Sequence, residues 1–354
     1  MKKSDKLCKK LIYMLLPMTL ALALCGCGEE ETTDYLAEGM SAIERMDYSA
    51  ALESFEVAEG TDENLRLIKR GEGLAYMGLT QYENAVNAFI ECLNLSNGRI
   101  MDVDFDVNYY LATAYLKMGK PAEAEATYDA IIGLRKNETD AYYLRGAARL
   151  EQDNYKQAKD DFDYVISQYP KDCDKLIDIV DALNQNGYGE IGKDYLNNML
   201  TNYGNKLSDY DLGRIYYYLG EYAQACRYLE TAKGEGSAEA CMYLGKSYEA
   251  TGDYNYAISV YNDFVNRDNS NPGVYNQMGL CRLKQGEYAE ALNAFQSAMQ
   301  IEDNDMLQTL AFNEIVAYEY LGEFKQASVL MENYVRTYPD DTQAQREYEF
   351  LRTR

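Results

Sequence analysis

Small and apolar residues recur along residues 32–341 with a period of about 34 residues. In one repeat, Gly73 is followed by Tyr82 nine places later, by Ala85 twelve places later and by Phe89 sixteen places later, and the other repeats keep the same kinds of residue at these offsets. Nine such repeats start at residues 32, 66, 105, 139, 173, 206, 238, 272 and 308. Internal repetition at this period is typical of proteins whose modules stack in one direction.

Each repeat contains two segments with helical spacing, separated by a turn. A Gly ends the first helix there, and the residue after it is acidic in most repeats, which favours the start of the second helix. The Gly positions are Gly119, Gly220, Gly252, Gly286 and Gly322. One antiparallel helix pair cannot bury its own apolar face, so we predict that neighbouring pairs stack.

The fifth repeat, residues 173–205, departs most from the pattern. Gly187, Gly189 and Gly192 spell GxGxxG, a dinucleotide-binding fingerprint, but that fingerprint needs a preceding strand. The preceding apolar residues have helical spacing instead. They are Leu176, Ile179, Val180 and Leu183. A divergent turn between two helices explains the glycines. A hinge between repeats 1–4 (32–172) and repeats 6–9 (206–341) is the alternative, since Gly within a helix costs about 1 kcal/mol.

These repeats resemble the tetratricopeptide repeat, in which small residues at positions 8 and 20 let two helices cross closely and a large residue at position 24 fills the remaining space. Position 20 is Ala in every repeat except the fifth, where it is Gly192. The usual Trp at position 4 is absent. The resemblance implies an all-α, right-handed superhelical solenoid of about nine helix pairs. Residues 342–354 are predicted to form a C-terminal capping helix, because Ala344, Tyr348 and Leu351 share one helix face.

Composition excludes several classes of function. Lys and Arg number 34 against 58 Asp and Glu, and the formal charge of -24 repels nucleic-acid phosphates. There is no His, the residue that most often serves as general base or zinc ligand. We therefore predict no catalytic residue, no cofactor and no metal site, and interpret the protein as a non-enzyme.

The N-terminus has the features of a targeting segment. Five Lys residues precede an apolar run from Leu11 to Leu24, which is short for a membrane span. The run ends in Leu-Cys-Gly-Cys-Gly, which resembles a bacterial lipobox and implies cleavage before Cys27 and a lipid on its sulfur. Cys25 is the rival lipidation site, although Leu24 would then stand where a small residue is needed. An uncleaved transmembrane anchor is the other alternative.

Residues 1–26 are therefore predicted to be a lipoprotein signal peptide. Residues 27–31 would be the lipidated Cys27 and a short acidic tether of three Glu residues. Two acyl chains hold a protein at a membrane much better than one does. We expect an extracytoplasmic protein anchored to the bacterial cell membrane by this lipid.

Two acidic clusters invite other interpretations. Asp102, Asp104 and Asp106 open like a calcium loop, but Val107 and Thr113 stand where that loop needs Gly and Glu. An exposed loop in the longer connection between repeats 2 and 3 is the simpler prediction. The second cluster lies on a second helix and is predicted to form a solvated face; its members are Asp160, Asp161 and Asp163.

The cysteines after Cys27 show no CxxC spacing, and we expect free buried thiols. Cys226 and Cys241 lie on adjacent helices across a repeat boundary, so a disulfide between them is the alternative in an extracytoplasmic setting.

In the family resembled, positions 2, 5, 9, 12 and 13 of the first helices line a concave groove. The candidate partner-binding residues at these positions are Tyr109, Tyr143, Asp174, Asp181, Tyr210, Tyr217 and Tyr218. Tyr supplies rigid contact area and the carboxylates favour a basic or amphipathic partner segment. The resemblance thus implies a scaffold that binds a protein or peptide. An envelope glycan hydrolase acting through paired carboxylates, which need no His, is the alternative.

Overall fold

The computed structural model describes residues 34–353, apart from Asp62, Asn97, residues 233–236 and Asp303. This part of the chain forms nineteen α-helices and no strand, which confirms the predicted all-α class. The helices are α1 (Tyr35–Glu44), α2 (Tyr48–Glu59), α3 (Leu65–Gly78), α4 (Tyr82–Asn94), α5 (Asp102–Lys117), α6 (Pro121–Leu134), α7 (Thr139–Glu151), α8 (Tyr155–Gln168), α9 (Cys173–Gln185), α10 (Gly189–Tyr203), α11 (Asp209–Leu219), α12 (Tyr222–Ala232), α13 (Ala238–Thr251), α14 (Tyr254–Val265), α15 (Pro272–Gln285), α16 (Tyr288–Met299), α17 (Leu307–Tyr320), α18 (Phe324–Thr337) and α19 (Thr342–Leu351).

The helices α1 to α18 form nine pairs, one for each repeat, and α19 follows the last pair. The signal peptide, Cys27 and the acidic tether lie outside the described residues. Among the helices that are described, none combines the length and the apolar content that a membrane span requires.

The chain divides into two compact units, and the division falls within α10, between Gly192 and Lys193. Unit 1 comprises the described residues up to Gly192, and unit 2 comprises those from Lys193 onward. Within each unit a second helix packs against its own first helix and against the first helix of the next repeat, as α2 does with α1 and α3. In unit 2 the first helix α13 likewise packs against the preceding second helix, α12, and against its own second helix, α14. The core is therefore a row of local clusters and not one central core.

The crossing inside most pairs places a large side chain directly on a glycine. Phe89 of α4 is fully buried against Gly73 of α3, and Tyr261 of α14 is fully buried against Gly245 of α13. A Cβ at either glycine would lie less than 3.0 Å from that ring. The same arrangement joins position 24 to position 8 at Phe55 with Gly39, Phe162 with Gly146, Leu229 with Gly213 and Phe295 with Gly279. The predicted register of the repeats is thereby confirmed.

The turn inside each pair has one residue in the left-handed region of backbone space, always at position 15 of the repeat. Glycine occupies this position in six repeats, with φ between +70° at Gly119 and +88° at Gly187. Met46, Thr80 and Asp153 occupy it in the other three, with φ of 57–59°. The turns that lack Gly thus keep the same geometry at a conformational cost.

The fifth repeat is a helix pair like the others. The segment before the GxGxxG sequence is α9 and not a strand, and Gly187 is the left-handed residue of the turn into α10. The glycines thus belong to a turn between two helices, as the sequence predicted, and the geometry of this turn is that of the other repeats. The hinge stays a prediction.

Helix α19 packs on the last pair as a cap. Ala344 and Leu351 are buried in one cluster with Met331 and Tyr334 of α18, and Tyr348 is partly buried against the same cluster. The side chain of Asp341 caps the N-terminus of α19 by accepting hydrogen bonds from the Gln343 and Ala344 amides.

The prediction that Asp161 belongs to a solvated face is wrong. Its side chain is 3% exposed and its two oxygens accept hydrogen bonds from Arg145 and Arg149 of α7 at 2.5–3.0 Å. The same arginines also bind Asp129 and Glu125 of α6. This arginine network joins repeat 3 to repeat 4, and sequence spacing along α8 alone gave no sign of it. Asp160 and Asp163 are exposed, as expected.

The exposed loop predicted around Asp102 is also wrong, because the three aspartates lie in the first turns of α5. Asp104 is buried and forms an ion pair with Arg66, and Asp106 binds Arg70 at 2.5 Å. Both arginines come from α3, so these carboxylates fasten the inserted segment to repeat 2. Their negative charge near the helix N-terminus is favourable as well.

Cys226 and Cys241 are buried and form no disulfide with each other, which agrees with the expectation of buried thiols, and the Cys241 thiol donates a hydrogen bond to the Val260 carbonyl. Burial raises the pKa of Cys226 to about 11, so its thiol is protonated at neutral pH.

Candidate functional site

The predicted binding residues of unit 1 lie on three consecutive first helices, α5, α7 and α9. Tyr109 and Tyr143 are half-buried and pack on the same core cluster, which includes Tyr128 and Leu144. The ring of Tyr109 lies 6.3 Å from that of Tyr128, and the ring of Tyr143 lies 6.2 Å from that of Phe162. Both rings are therefore held rigidly by the core while part of each remains at the surface.

Carboxylates surround the edge of Tyr143. Its hydroxyl donates a hydrogen bond to the backbone carbonyl of Asp178, at 3.3 Å. Burial raises the pKa of Tyr143, and the negative charges of Asp178 and Asp181 raise it further. The phenol is neutral at physiological pH and stands in a region of negative potential.

Asp140 and Asp174 extend this negative region along α7 and α9. Both are exposed, and Asp140 accepts a hydrogen bond from Lys175 at 2.9 Å. Lys175 also lies 5.0 Å above the ring of Tyr169. We refer to Tyr109, Asp140, Tyr143, Asp174 and Asp181 as the first-helix face of unit 1. It combines two fixed aromatic rings with three carboxylates.

The predicted binding residues of unit 2 belong to a cluster of tyrosines. The ring of Tyr217 meets those of Tyr218, Tyr222 and Tyr243 edge to face or nearly so, at centroid distances of 5.7, 5.7 and 5.3 Å. Tyr218 and Tyr243 lie 6.2 Å apart. Such pairs contribute about 0.5–1.5 kcal/mol each beyond the area that they bury. The four rings come from α11, α12 and α13 and are all half-buried.

Tyr210 lies about two helix turns before this cluster on α11. Its hydroxyl donates a hydrogen bond to the Glu239 carboxylate at 2.9 Å, and the Arg214 guanidinium lies 4.4 Å from its ring centre. Arg214 is buried and forms an ion pair with Asp211 at 2.6 Å. Burial raises the pKa of Tyr210. We refer to Tyr210, Tyr217, Tyr218 and Tyr243 as the first-helix face of unit 2.

Sequence positions identified most of these residues but not all of them. Tyr243 stands at position 6 of its repeat and Tyr222 begins a second helix, and neither position was among those expected to contact a partner. The sequence positions of Tyr218 on α11 and Tyr222 on α12 gave no sign that the rings of this cluster meet. The rings come together only because three helices pack against one another.

The chemistry of the two faces is that of recognition. In the described part of the chain no group of three or more potential metal ligands comes together. The faces present aromatic rings, hydroxyl groups and carboxylates on rigid helices, which suits binding of an extended or helical segment.

The tetratricopeptide repeat family matches residues 72–98, 109–172, 210–272 and 272–305. These segments fall on the helix pairs described above and together cover more than half of the chain.

One curated relative is similar in sequence over 220 residues. It is RNA polymerase II-associated protein 3 of Xenopus laevis, at 27% identity. The matched stretch covers 61% of this chain but only 30% of that relative.

Several solved structures are similar. A tetratricopeptide repeat protein from Parabacteroides merdae has 14% identity and a TM-score of 0.46, with 80% of this chain and 97% of that chain covered. The C-terminal part of a tetratricopeptide repeat protein from Cytophaga hutchinsonii has 14% identity and a TM-score of 0.43, with 76% and 96% covered. The family matches cover more than half of the chain and fall on its helix pairs: the chain belongs to the tetratricopeptide repeat family.

Proposed function

We propose that this protein is a binding scaffold, tethered outside the bacterial cytoplasmic membrane by a lipid on Cys27, which holds a segment of another envelope protein on its first-helix faces. Family membership supports the scaffold, since stacked helix pairs present an extended surface for binding. The observation that carries the proposal is the fixed arrangement of half-buried tyrosines on first helices in both units.

The charge of the unit 1 face supports a basic or amphipathic partner segment. The negative charge of Asp181 acts on Tyr143 and that of Asp140 acts on Tyr109, Asp174 is exposed on α9, and the chain as a whole has a formal charge of -24. Charge complementarity of this kind raises the association rate and makes it fall with salt, since screening sets in over about 8 Å at physiological ionic strength.

The membrane tether rests on the sequence of the N-terminal segment alone. Mass spectrometry of the mature N-terminus tests it directly. A chain that begins with diacylated Cys27 supports the tether, and a chain that retains residues 1–26 unmodified contradicts it. Lipid on Cys25 would change the site but keep the anchor.

Affinity capture from detergent-solubilised membranes tests the binding function. Tyr217→Ala is expected to weaken capture of a stoichiometric partner, because it removes the ring at the centre of the unit 2 face. The matched control is Tyr256→Ala on α14, whose side chain is 63% exposed and lies outside both faces. If the Tyr256→Ala control no longer captures the partner while Tyr217→Ala still does, the second helices and not the first-helix faces bind the partner.

Charge variants test the role of the unit 1 face. Asp174→Asn with Asp181→Asn is expected to slow association and to flatten its dependence on salt. Asp160→Asn with Asp163→Asn removes the same charge from exposed positions on α8 and is expected to leave the salt dependence as it is. Equal effects of the two double variants would mean that only net charge matters.

A further inference from the structure

A cleft of about 450 Å³ lies on one edge of unit 1, at the start of α5. It opens between the connection that precedes α5 and the C-terminus of α6, and it is lined by residues 99–102, Phe105, Leu134 and Arg135. This volume falls within the range of small ligand pockets and accommodates one or two large side chains. We call it the edge cleft.

Three of the residues that line the edge cleft are apolar and exposed. The exposed fractions are 54% for Ile100, 50% for Met101 and 51% for Leu134. Single exposed apolar residues are ordinary on protein surfaces, but here three of them converge on one concavity. Nothing in the packing of α5 and α6 requires these side chains to be apolar, because the core beneath them is already filled by Phe105, Ile131 and Ile132.

The rim of the edge cleft carries positive charge, in contrast to the chain as a whole. Arg99 and Arg135 line the cleft, and Lys136 follows at once; all three are exposed. Arg135 is held over the ring of Phe105, 3.5 Å from its centre, and binds Asp102 at 2.5 Å. Its guanidinium is therefore fixed at the rim. Asp102 is the acidic residue among those that line the cleft, and the Glu138 carboxylate lies 3.8 Å from the Arg135 guanidinium, so Arg99 and Lys136 provide the excess positive charge at the rim.

The shape of the cleft decides between two kinds of anionic partner. An anionic membrane surface is best met by a convex tip or an amphipathic helix that inserts apolar side chains among lipids. A concavity is filled instead by a side chain that a partner supplies. Positive groups around an apolar depression complement a peptide in which a large apolar residue is flanked by carboxylates.

We propose that the edge cleft is a second docking site, which takes an acidic segment of a partner protein through one large apolar side chain. The protein then holds two partners of opposite charge, a basic segment on the first-helix faces and an acidic segment on the edge. The second site stands on the geometry of the cleft, and only the pairing of two partners rests on the proposed function.

A fluorescent peptide tests the edge cleft on the mature chain that begins at residue 27. The probe has twelve residues, in which Phe alternates with pairs of Glu. One counterpart replaces every Glu with Lys, and another replaces every Phe with Ser. Fluorescence anisotropy at low salt is expected to show binding of the probe about tenfold tighter than that of either counterpart. Equal affinity for the Glu and Lys peptides would overturn the proposal.

The test variant is Arg99→Glu with Ile100→Ser, which inverts one rim charge and removes one wall. It is expected to weaken probe binding about tenfold without changing the melting temperature, because both side chains are exposed. The matched control is Lys325→Glu with Val329→Ser on α18, where both side chains are also exposed, and Val329 is 50% exposed. Equal weakening in the control would overturn the proposal.

Two further measurements separate other occupants of the cleft. The first is binding to phosphatidylglycerol vesicles. If the parent protein binds the vesicles, the Arg99→Glu, Ile100→Ser variant does not, and neither protein binds the peptide, the proposal is overturned in favour of a lipid surface. A concentration-dependent dimer in sedimentation equilibrium, disrupted by the same variant, would overturn it in favour of a second copy of the chain. Tyr217→Ala is expected to leave probe binding unchanged, so failure of the first-helix faces and failure of the edge cleft are distinguishable.

Discussion

At the scale of single residues, two positions in each repeat are determined almost entirely by backbone geometry. Position 8 is Gly where the ring or branched side chain at position 24 leaves no room for a Cβ, as at Gly245 against Tyr261. Position 15 adopts positive φ in every repeat, whether or not it is Gly. The sequence predicted the small residue at position 8 and the turns that contain Gly, because Gly spacing is visible without knowledge of partners, but it did not predict the positive φ of Met46, Thr80 and Asp153. It could not reveal Asp161, whose role depends on two arginines from another helix.

The strained turns give a direct prediction. Thr80 is β-branched and has a φ of +59°, a conformation that costs a non-Gly residue about 1–2 kcal/mol. Thr80→Gly is expected to stabilise repeat 2 by about 1 kcal/mol, and urea unfolding measures this. Thr80→Ala is the control, since Ala relieves the branching but not the positive φ. An equal gain in both variants would show that backbone strain is not the cause.

Glu319 gives a prediction about pH. Burial, and then the negative charge of Glu347, raise the pKa of Glu319 to about 7. Its Oε1 atom is buried and has no hydrogen-bond partner among the described residues. The folded state therefore binds more protons than the unfolded state between the ordinary carboxyl pKa of 4.5 and about 7, and stability falls as pH rises through that window.

Glu319→Gln is expected to melt close to the parent at pH 4.5 and above it at pH 8, because Gln carries no charge to bury. Thermal melting at the two values measures the difference. Glu332→Gln on α18 is the control, since Glu332 is exposed. A Glu319→Gln variant whose advantage is the same at both pH values would contradict this account of the carboxyl group.

At the scale of elements, the second helices begin where the repeat pattern predicted, because Tyr at position 17 and Gly at position 15 mark the turn in most repeats, whereas α5 begins at Asp102, where a loop was predicted. The sequence did not predict the ion pairs that join neighbouring repeats. Asp104 and Asp106 bind arginines of the preceding repeat across the longer connection, and Asp161 binds Arg145 and Arg149. Acidic residues are so frequent in this chain that spacing along one helix does not distinguish a buried carboxylate from a solvated one.

The arginine network predicts unequal effects for adjacent aspartates. Asp161→Ala leaves two largely buried guanidinium groups without their shared carboxylate, and breaking such a pair costs about 3–5 kcal/mol. Asp160→Ala, at an exposed position one residue earlier, is expected to change stability by less than about 0.5 kcal/mol. Urea unfolding of the two variants compares them. Similar stability in both would mean that the arginines find other partners at no cost.

At the scale of the whole molecule, the repeats build a row of local cores, so stability is the sum of repeat and interface contributions. This much followed from the sequence, because no single helix pair buries its apolar face. The division within α10 falls in the repeat that the sequence singled out. The predicted contact residues are only part of each first-helix face, since the meeting of Tyr217 with Tyr222 and Tyr243 depends on three helices packing together.

Local coupling predicts a local effect of mutation. Gly146→Ala places a methyl group against Phe162 and is expected to destabilise repeat 4 by about 1–3 kcal/mol. Gly133→Ala is the control, because nothing lies within 4 Å of a Cβ at Gly133 in α6, and Ala is the better helix former. Native-state hydrogen exchange should lose protection in α7 and α8 of the Gly146→Ala variant and not in α13 and α14. Uniform loss over the chain would indicate one cooperative core.

The most direct test of the central claim, that a partner is held on the first-helix faces, is site-specific photocrosslinking of the protein in the cells that produce it. A benzoylphenylalanine replaces Tyr218 on the unit 2 face in one variant and the exposed Tyr256 of α14 in another. We predict one discrete crosslinked partner from position 218 and none from position 256. A crosslink to the same partner from position 256 alone would contradict the account.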